Sequence, residues 1–410
     1  AMGGLQPTRR VDCPALPILN DSAFAAAVKG ADRPSSTTMA LIRILAKLMR
    51  DKDIGQFVVP IVPDEARTFG MDGLFRQAGI YSSAGQRYRP VDADSLSPYK
   101  ESQTGQILQE GICEAGGMAS FVAAGTAYAH FGVPTIPFYI LYSMFGFQRV
   151  GDLIWAAGDS MCRGFLVGGT AGRTTLNGEG LQHQDGHSHV LANTVPNLLS
   201  YDPAFAFELA TIVRDGIRRM YTDQEDVFYY LTVYNENYAQ PEMPDDSEEG
   251  ILKGIYRFKS ADSTLANGQP VAVHLLGSGS IMQQVLMAQD ELAEKGIAAD
   301  VWSVTSYTQL CNEAMECEAW SRNHPSEKPQ VPYLAHALGD AHGTFVAATD
   351  YMKVLPASVA QWIPGTMICL GTDGYGLSES RENLRSYFGV DSRQIVDVVD
   401  QHIGVHTRYT

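Results

Sequence analysis

The spacing of apolar residues changes repeatedly along the chain, and each change predicts a switch between strand and helix. Met39, Ile44 and Leu48 recur at helical intervals behind Ser36 or Thr37, either of which can cap the helix. Short apolar runs predict buried strands at 58–63, 135–141, 165–169, 197–201 and 227–233. Further helices are predicted at 119–129, 149–162 and 203–219. This alternation up to residue 234 predicts a parallel sheet with helices on both faces.

The second half repeats the pattern on a smaller scale. An acidic, proline-containing segment at 236–250 predicts an interdomain linker. Beyond it, strands are predicted at 270–276, 298–304, 346–349 and 367–370, and helices at 282–295, 383–388 and 392–399. Residues 1–35 are rich in proline and lack periodicity, which predicts an arm or linker. The predicted fold is α/β: two domains, 36–235 and 251–410, with mainly parallel sheets covered by helices.

Composition and charge narrow the classes of partner. The 410 residues carry a net charge of −16 without a block of Lys or Arg, so neither nucleic acid nor an anionic membrane is expected as a partner. No apolar run reaches transmembrane length. The six cysteines form no Cys-x-x-Cys pair, which predicts free thiols in a cytoplasmic protein. The opening Ala1-Met2-Gly3-Gly4 is expected to be a cloning remnant and not a signal peptide.

The first candidate for chemistry is Glu114, which ends an apolar run just before a helix of small residues. A carboxyl group buried there is expected to be protonated or to share a proton with a partner. Aromatic residues follow the strand at 135–141 and could form a wall for a flat heterocycle; they are Phe138, Tyr139, Tyr142, Phe145 and Phe147. The alternative is that Glu114 caps a helix and the aromatic residues belong to the core.

The second candidate is a loop rich in glycine, threonine and histidine. His183, His187 and His189 surround Asp185, and this set could bind zinc. Alternatively, neutral histidines could exchange protons around a polar substrate. Both interpretations remain open from spacing alone.

Two further segments lie where α/β proteins place their sites. Asp64, Glu65 and Arg67 follow the strand at 58–63, although acidic residues at a helix N-terminus are also common. Residues 82–104 are polar and lack an apolar period, and such long loops are usually active-site lids or disordered.

Several long motifs resemble the pyruvate dehydrogenase (decarboxylating) component of the homodimeric bacterial type. They lie at 64–71, 105–114, 137–152, 168–189, 275–280, 303–306 and 371–385. The similarity covers nearly all of 36–400 and implies a transketolase-like thiamine diphosphate enzyme. Residues 36–235 would bind the cofactor's aminopyrimidine, and 251–410 would be the family's C-terminal domain.

The resemblance also implies roles for individual residues. Glu114 would hydrogen-bond the pyrimidine ring nitrogen, and its proton would promote the amino–imino tautomer that deprotonates the thiazolium carbon. Phe145 would stack on the ring, and Tyr142 and His183 would face the bound 2-oxo acid. Glu65 would communicate with Glu114 through hydrogen bonds. The remaining candidates are Glu179 and His187 for catalysis, Asp64, Tyr142 and Arg149 for cofactor binding, and 84–100 as a lid.

Two departures from the family pattern change the expected assembly. Gln184 replaces the acid that usually follows the first loop histidine. Nothing in the chain matches the upstream Gly-Asp-Gly…Asn motif that binds magnesium and the diphosphate. A separate domain or subunit is therefore expected to supply the Mg²⁺ ligands, in a homodimer or a heterotetramer.

The function indicated is decarboxylation of a pyruvate-like 2-oxo acid with transfer of the acyl unit. The acceptor would be lipoamide on an acyltransferase, or another acceptor as in transketolases and acyloin synthases. Two other functions remain as alternatives: a zinc hydrolase built on His183, His187 and His189, and a non-catalytic assembly subunit.

Overall fold

The computed structural model describes residues 12–19, 21–63, 66–266 and 271–409. Its strands, in chain order, are β1 Ala31–Ser35, β2 Val58–Val62, β3 Ile80–Tyr81, β4 Glu101–Ser102, β5 Leu108–Gln109, β6 Ile136–Tyr142, β7 Phe165–Gly169, β8 Leu198–Tyr201, β9 Phe228–Thr232, β10 Tyr238–Gln240, β11 Ile255–Lys259, β12 Val273–Gly277, β13 Asp300–Val304, β14 Gly343–Ala348 and β15 Gly365–Leu370.

The α-helices are α1 Ala25–Val28, α2 Thr37–Leu48, α3 Asp72–Gln77, α4 Glu114–Gly125, α5 Ala127–Phe131, α6 Gly146–Asp159, α7 Ser188–Ala192, α8 Ala206–Ile217, α9 Glu248–Lys253, α10 Ser263–Ala266, α11 Met282–Glu294, α12 Tyr307–Asn323, α13 Tyr333–Leu338, α14 Val354–Ala357, α15 Arg381–Phe388 and α16 Ser392–Tyr409. Among these described helices, none combines the length and apolar character that crossing a membrane requires.

The first half is built on a six-stranded sheet in the order β5-β2-β6-β7-β9-β8, and every pairing is parallel. The parallel sheet predicted from the alternating pattern is confirmed. The predicted cap is confirmed as well, because the Ser36 hydroxyl accepts a hydrogen bond from the Met39 amide at 3.1 Å. The helix predicted at 119–129 instead begins at Glu114 and breaks near Thr126.

The second half contains a five-stranded sheet in the order β11-β13-β12-β14-β15. Its pairings are parallel except for β11, which runs antiparallel to β13 at the edge. The apolar pattern did not predict β11 because Arg257 and Lys259 interrupt it. It also missed α12, a largely polar helix that Ser306 caps by accepting from the Gln309 amide at 3.0 Å.

Described residues ahead of α2 lie against the first sheet's helical layer. Leu16 and Phe24 are buried in the main core, and β1 pairs antiparallel with β10. The segment 236–250 therefore contributes a strand, β10, and the start of α9. The exact domain boundaries stay predictions.

The two halves share a buried polar contact. Glu208 on α8 accepts hydrogen bonds from Tyr256 of β11 at 2.7 Å and from Ser303 of β13 at 2.6 Å. Burial raises the pKa of the Glu208 carboxyl group above its ordinary value. The carboxyl ends of β7 and β14 also come together, because Asp350 follows β14 and contacts Thr174, which follows β7.

Candidate active site

Glu114 is the first residue of α4 and is 9% exposed. Its side chain accepts a hydrogen bond from Arg149 of α6, with 2.9 Å between Oε1 and Nη1. The same guanidinium lies over the Phe145 ring, 3.9 Å from the ring centroid. The partner of the Glu114 carboxyl group is thus the Arg149 guanidinium. A guanidinium donates hydrogen bonds but keeps its proton, so this contact is not the proton sharing that was expected.

The aromatic residues after β6 divide into core and site. Tyr142 and Phe145 have ring centroids 5.8 Å apart, and each lies 5.2 Å from the His183 ring. Phe138 and Tyr139 are buried in the core, and the Tyr139 hydroxyl donates to the Glu114 carbonyl at 3.2 Å. The predicted aromatic wall is therefore narrower than the sequence cluster: Tyr142 and Phe145 line it, whereas Phe147 packs on Tyr230.

His183 completes this wall from the loop that follows β7. Its Nδ1 atom lies 3.4 Å from Oε2 of Glu179 and makes no hydrogen bond to any residue in the described part of the chain. A buried ring nitrogen without a hydrogen bond is unusual, and the group that faces this one is the Glu179 carboxylate. Glu179, one of the candidates for catalysis, therefore lies next to His183.

His187 and His189 lie in different surroundings. His187 contacts the Gln148 amide through Nε2, and its Nδ1 atom lies 3.7 Å from Asp185. His189 is fully enclosed, with Nδ1 2.5 Å from the Ser200 hydroxyl and Nε2 2.9 Å from the Thr232 hydroxyl. Burial lowers the pKa of His189 to about 4.

The zinc interpretation of these histidines is wrong. His183 contacts the aromatic wall, His187 contacts Gln148, and His189 is enclosed beneath the sheet edge. Across the residues that the structure describes, no three histidine, cysteine or carboxylate side chains form a group that could hold a metal ion. The spacing suggested a cluster, but the loop directs the three rings to different places.

Gln184, the departure from the family pattern, fits its place. Its amide nitrogen donates to the Leu176 carbonyl at 2.5 Å, and its amide oxygen accepts from the Leu377 amide at 2.7 Å. A carboxylate could accept from Leu377 but would place an oxygen against the Leu176 carbonyl. The amide is therefore the side chain that satisfies both neighbours.

Asp64 and Glu65 lie outside the described residues. Arg67, which follows them, pairs with Asp92 and donates to the Ser97 carbonyl at 3.0 Å. The lid segment 84–100 is thus tied to this corner by polar contacts, while the side chains of Val91 and Leu96 are exposed.

Sequence reasoning missed Asp350, a fully buried carboxylate in the second half that holds Thr174 and Thr175. A polar residue directly after the strand predicted at 346–349 was the available signal, because strand carboxyl ends carry sites in α/β folds. That signal does not say which loop the carboxylate contacts.

Residues 15–241 match the family profile described as pyruvate dehydrogenase E1 component middle domain. The chain belongs to the pyruvate dehydrogenase E1 component family. Residues 254–391 match the transketolase-like C-terminal domain. The resemblance inferred from the motifs is thereby confirmed.

Members of this family are close in sequence but longer. The pyruvate dehydrogenase E1 component of Pseudomonas aeruginosa is 53% identical over 97% of this chain, which corresponds to 45% of that protein. The Escherichia coli protein is 53% identical over 93% of this chain and 42% of its own length. The chain therefore spans less than half the length of these curated relatives.

Solved structures agree on the fold. Transketolase from Leishmania mexicana superimposes with a TM-score of 0.68 at 17% identity, covering 93% of this chain and 49% of that one. A split-gene transketolase, solved as an inactive β4 tetramer, gives a TM-score of 0.61 at 16% identity and covers 90% of this chain and 99% of its own. The two-domain α/β fold predicted from the sequence is confirmed as transketolase-like.

Proposed function

We propose that this chain is the pyrimidine-binding and C-terminal part of a thiamine diphosphate enzyme. The enzyme decarboxylates a pyruvate-like 2-oxo acid and transfers the acyl unit to an acceptor. The observation that carries the proposal is the pair of contacts made by the planar Arg149 guanidinium. It lies on the Phe145 ring and donates a hydrogen bond to Glu114. These are the two contacts that the family resemblance assigns to the aminopyrimidine. A flat ring that can hydrogen-bond to a carboxyl group therefore fits between Glu114 and Phe145.

Thiamine diphosphate, when bound, would supply the nucleophilic carbon and the electron sink that decarboxylation of a 2-oxo acid needs. Glu114 holds a proton against the pyrimidine ring nitrogen, and Phe145 fixes the plane of the ring. Tyr142 and His183, whose ring centroids lie 5.2 Å apart, would orient the 2-oxo acid. Glu179 steadies His183 from 3.4 Å away.

Arg149 must move for this ring to bind. Its guanidinium makes both contacts that the pyrimidine needs, so the two compete for one place. The Arg149 side chain is half exposed and can turn towards solvent. We therefore assign Arg149 as a residue that bridges Glu114 and Phe145, not as a direct ligand of the ring.

The diphosphate and Mg²⁺ would be held by a domain or subunit outside these residues, because the chain carries no motif of that kind. The match to nearly the whole of a split-gene transketolase supports a subunit that works with a partner. Ile112, 74% exposed and two residues before Glu114, belongs to the face that such a partner would cover. The assembly would be a homodimer or a heterotetramer.

Further roles follow the family motifs. His187, on the same loop as His183, would act in catalysis. Asp64 would bind the cofactor, and Glu65 would communicate with Glu114 through hydrogen bonds. The segment 84–100 would act as a lid. The acceptor would be a lipoyl group on an acyltransferase or another acyl acceptor.

Titration calorimetry tests the proposal. Thiamine diphosphate and magnesium are titrated into the 410-residue chain alone, and then into the chain mixed with the remaining part of the Pseudomonas aeruginosa relative. We expect weak or no binding to the chain alone, and binding with release of carbon dioxide from pyruvate in the mixture.

Two results would contradict the proposal. Sub-micromolar binding by the chain alone would show that it already holds the diphosphate end of the cofactor. A mixture that assembles and binds cofactor but releases no carbon dioxide would favour the non-catalytic assembly subunit.

A further inference from the structure

The loop that carries His183 and His187 is anchored by the C-terminal half of the chain. We define the histidine loop as residues 170–187, which connect β7 to α7. Its neighbours across the interface are the turns after β14 and β15. The carboxyl ends of β7, β14 and β15 lie at this interface, so the turns after β14 and β15 contact the loop directly.

Asp350, which follows β14, makes the densest of these contacts. Its Oδ1 atom accepts from the Thr174 amide at 2.8 Å and from the Thr174 hydroxyl at 2.7 Å. Its Oδ2 atom accepts from the Thr175 amide at 3.1 Å and from the Thr175 hydroxyl at 2.6 Å. The carboxylate is completely buried, so four donors from two consecutive residues hold it.

The turn after β15 holds the rest of the loop. Three contacts run from a side chain to a backbone carbonyl: Arg173 donates to Thr372, Arg381 donates to Thr175 at 2.6 Å, and Ser378 donates to Gly178 at 2.6 Å. A fourth runs from backbone to backbone, where the Gly178 amide donates to the Glu379 carbonyl at 3.1 Å. The Met352 amide, close to Asp350, donates to the Gly186 carbonyl at 2.7 Å.

The loop's backbone shows that its shape is imposed. Thr170 adopts φ +50°, which is uncommon for a residue with a side chain and costs about 1–3 kcal/mol. Gly172 adopts φ +88°, and a Cβ atom there would lie 2.2 Å from Oδ2 of Asp350. Such a conformation persists where surrounding contacts determine it, and at Gly172 the nearest group is Asp350 of the second half.

We propose that Asp350 is a positioning residue that sets the place of His183 beside Phe145 and Tyr142. The C-terminal half is then part of the active-site scaffold and not a separate module. The catalytic consequence rests on the proposed function, whereas the placement of the loop does not.

Asparagine at position 350 distinguishes this role from simple packing. Each carboxylate oxygen accepts from a backbone amide, so either orientation of an asparagine amide points an NH₂ group at a backbone N–H. At least one of the two backbone bonds must break although the side chain keeps its size. Asp373 is the matched control: its carboxylate lies in the turn after β15 and accepts from the Lys353 amide at 3.0 Å.

The test is histidine NMR and hydrogen exchange on the full 410-residue chain. The variants are Asp350→Asn, Arg381→Ala as a milder change that removes one bond to Thr175, and Asp373→Asn. His183→Gln identifies the His183 ring signal. For Asp350→Asn we expect a shifted His183 ring signal. We also expect about 10- to 100-fold faster exchange of the Thr174 and Thr175 amides, as for loss of charged hydrogen bonds.

Arg381→Ala should show the same changes at smaller size, and Asp373→Asn should leave the His183 signal in place. An unchanged His183 signal in folded Asp350→Asn and in Arg381→Ala would overturn the positioning role.

A turnover measurement separates failure of the positioning role from failure of the proposed function. In the reconstituted mixture, Asp350→Asn should lower kcat and leave the apparent Kd for the cofactor unchanged. An inactive wild-type mixture would refute the proposed function but not the NMR result.

Discussion

The two walls of the candidate site are held in different ways. Glu114 and Phe145 depend on neighbours close in the chain: Arg149 is 35 residues from Glu114, and Tyr139 is 25 residues away. The histidine loop depends on distant residues, since Thr174 and its partner Asp350 are separated by 176 positions. One wall is local to the first half, and the other exists only where both halves meet.

The two walls therefore differ in what they contribute: the first supplies chemical groups, and the second depends on where a loop is placed. The first wall carries the groups that would hold the cofactor ring, and its geometry follows from one helix start, one strand end and one turn. The second wall carries a histidine whose position depends on an interface between domains. Loosening the interface should therefore disturb the second wall first.

The largest effect is expected in the first wall. Glu114→Gln in the reconstituted mixture should lower decarboxylation on the order of 10²-fold or more, because an amide cannot supply the proton. Glu110→Gln is the matched control, a carboxylate four positions earlier whose partner is the Ser120 hydroxyl. Carbon dioxide release measures activity, and thermal unfolding checks that both variants fold. Near-normal turnover of Glu114→Gln would remove Glu114 from the mechanism.

A pair of glycine substitutions tests the second wall. Gly172 and Gly178 both have positive φ, +88° and +82°, but a Cβ atom at Gly172 would collide with Asp350, whereas the space at Gly178 is open. Gly178→Ala should cost about 1 kcal/mol of unfolding free energy from backbone strain, and Gly172→Ala about 3 kcal/mol or more from strain and collision. Urea denaturation measures both. Equal losses would mean that the contact with Asp350 contributes little.

The buried groups beneath the second wall give a pH test. Burial raises the pKa of Asp202 to about 6 from 3.8, so its contribution to stability is lost as pH rises from about 4 through 6. Burial lowers the pKa of His189 to about 4 from 6.5, so its contribution is lost as pH falls from 6.5 through 4. The two opposite trends should largely cancel in the wild type.

Asp202→Asn should unmask the histidine. The variant should be about 2–3 kcal/mol more stable than the wild type at pH 8, because no buried carboxylate must ionise. Between pH 6.5 and 4 its stability should fall by a similar amount. Urea midpoints across this range give the curves. If the wild type and the variant run parallel, Asp202 and His189 do not titrate as inferred.

The smallest effect concerns Arg149. Arg149→Ala should bind the cofactor about 3- to 10-fold more tightly in the reconstituted mixture, because one ion pair and one cation–π contact no longer compete. Arg257→Ala is a matched control: Arg257 also has an aromatic partner, Trp302 at 5.8 Å, and a carboxylate partner, Asp300 at 3.8 Å. Calorimetry compares the two. Weaker binding by Arg149→Ala would make Arg149 a ligand of the cofactor.

Much of the fold could be predicted because it depends on local pattern. Strand β7 has the bounds predicted for it, and α2 begins behind its predicted cap. The strand β11 could not be predicted in the same way. Two charged residues break its apolar pattern, and pairing with β13, which lies far along the chain, stabilises it.

The site follows the same division. Glu114, Phe145, Tyr142 and His183 were selected from the sequence, and the last three lie together in the structure. The zinc cluster was an error of the same method, because spacing along a loop does not determine where each ring points.

The sequence by itself determined the alternation of strands and helices, the choice of Glu114 beside Gly116 as a candidate for chemistry, and the family motifs. Those features depend on residues near one another in the chain, where backbone preference and apolar spacing act directly. The tertiary structure alone decided that Asp350 holds Thr174 and that Arg149 lies between Glu114 and Phe145. A buried carboxylate takes whichever donors the packed sheets bring to it, and no local preference names those donors in advance.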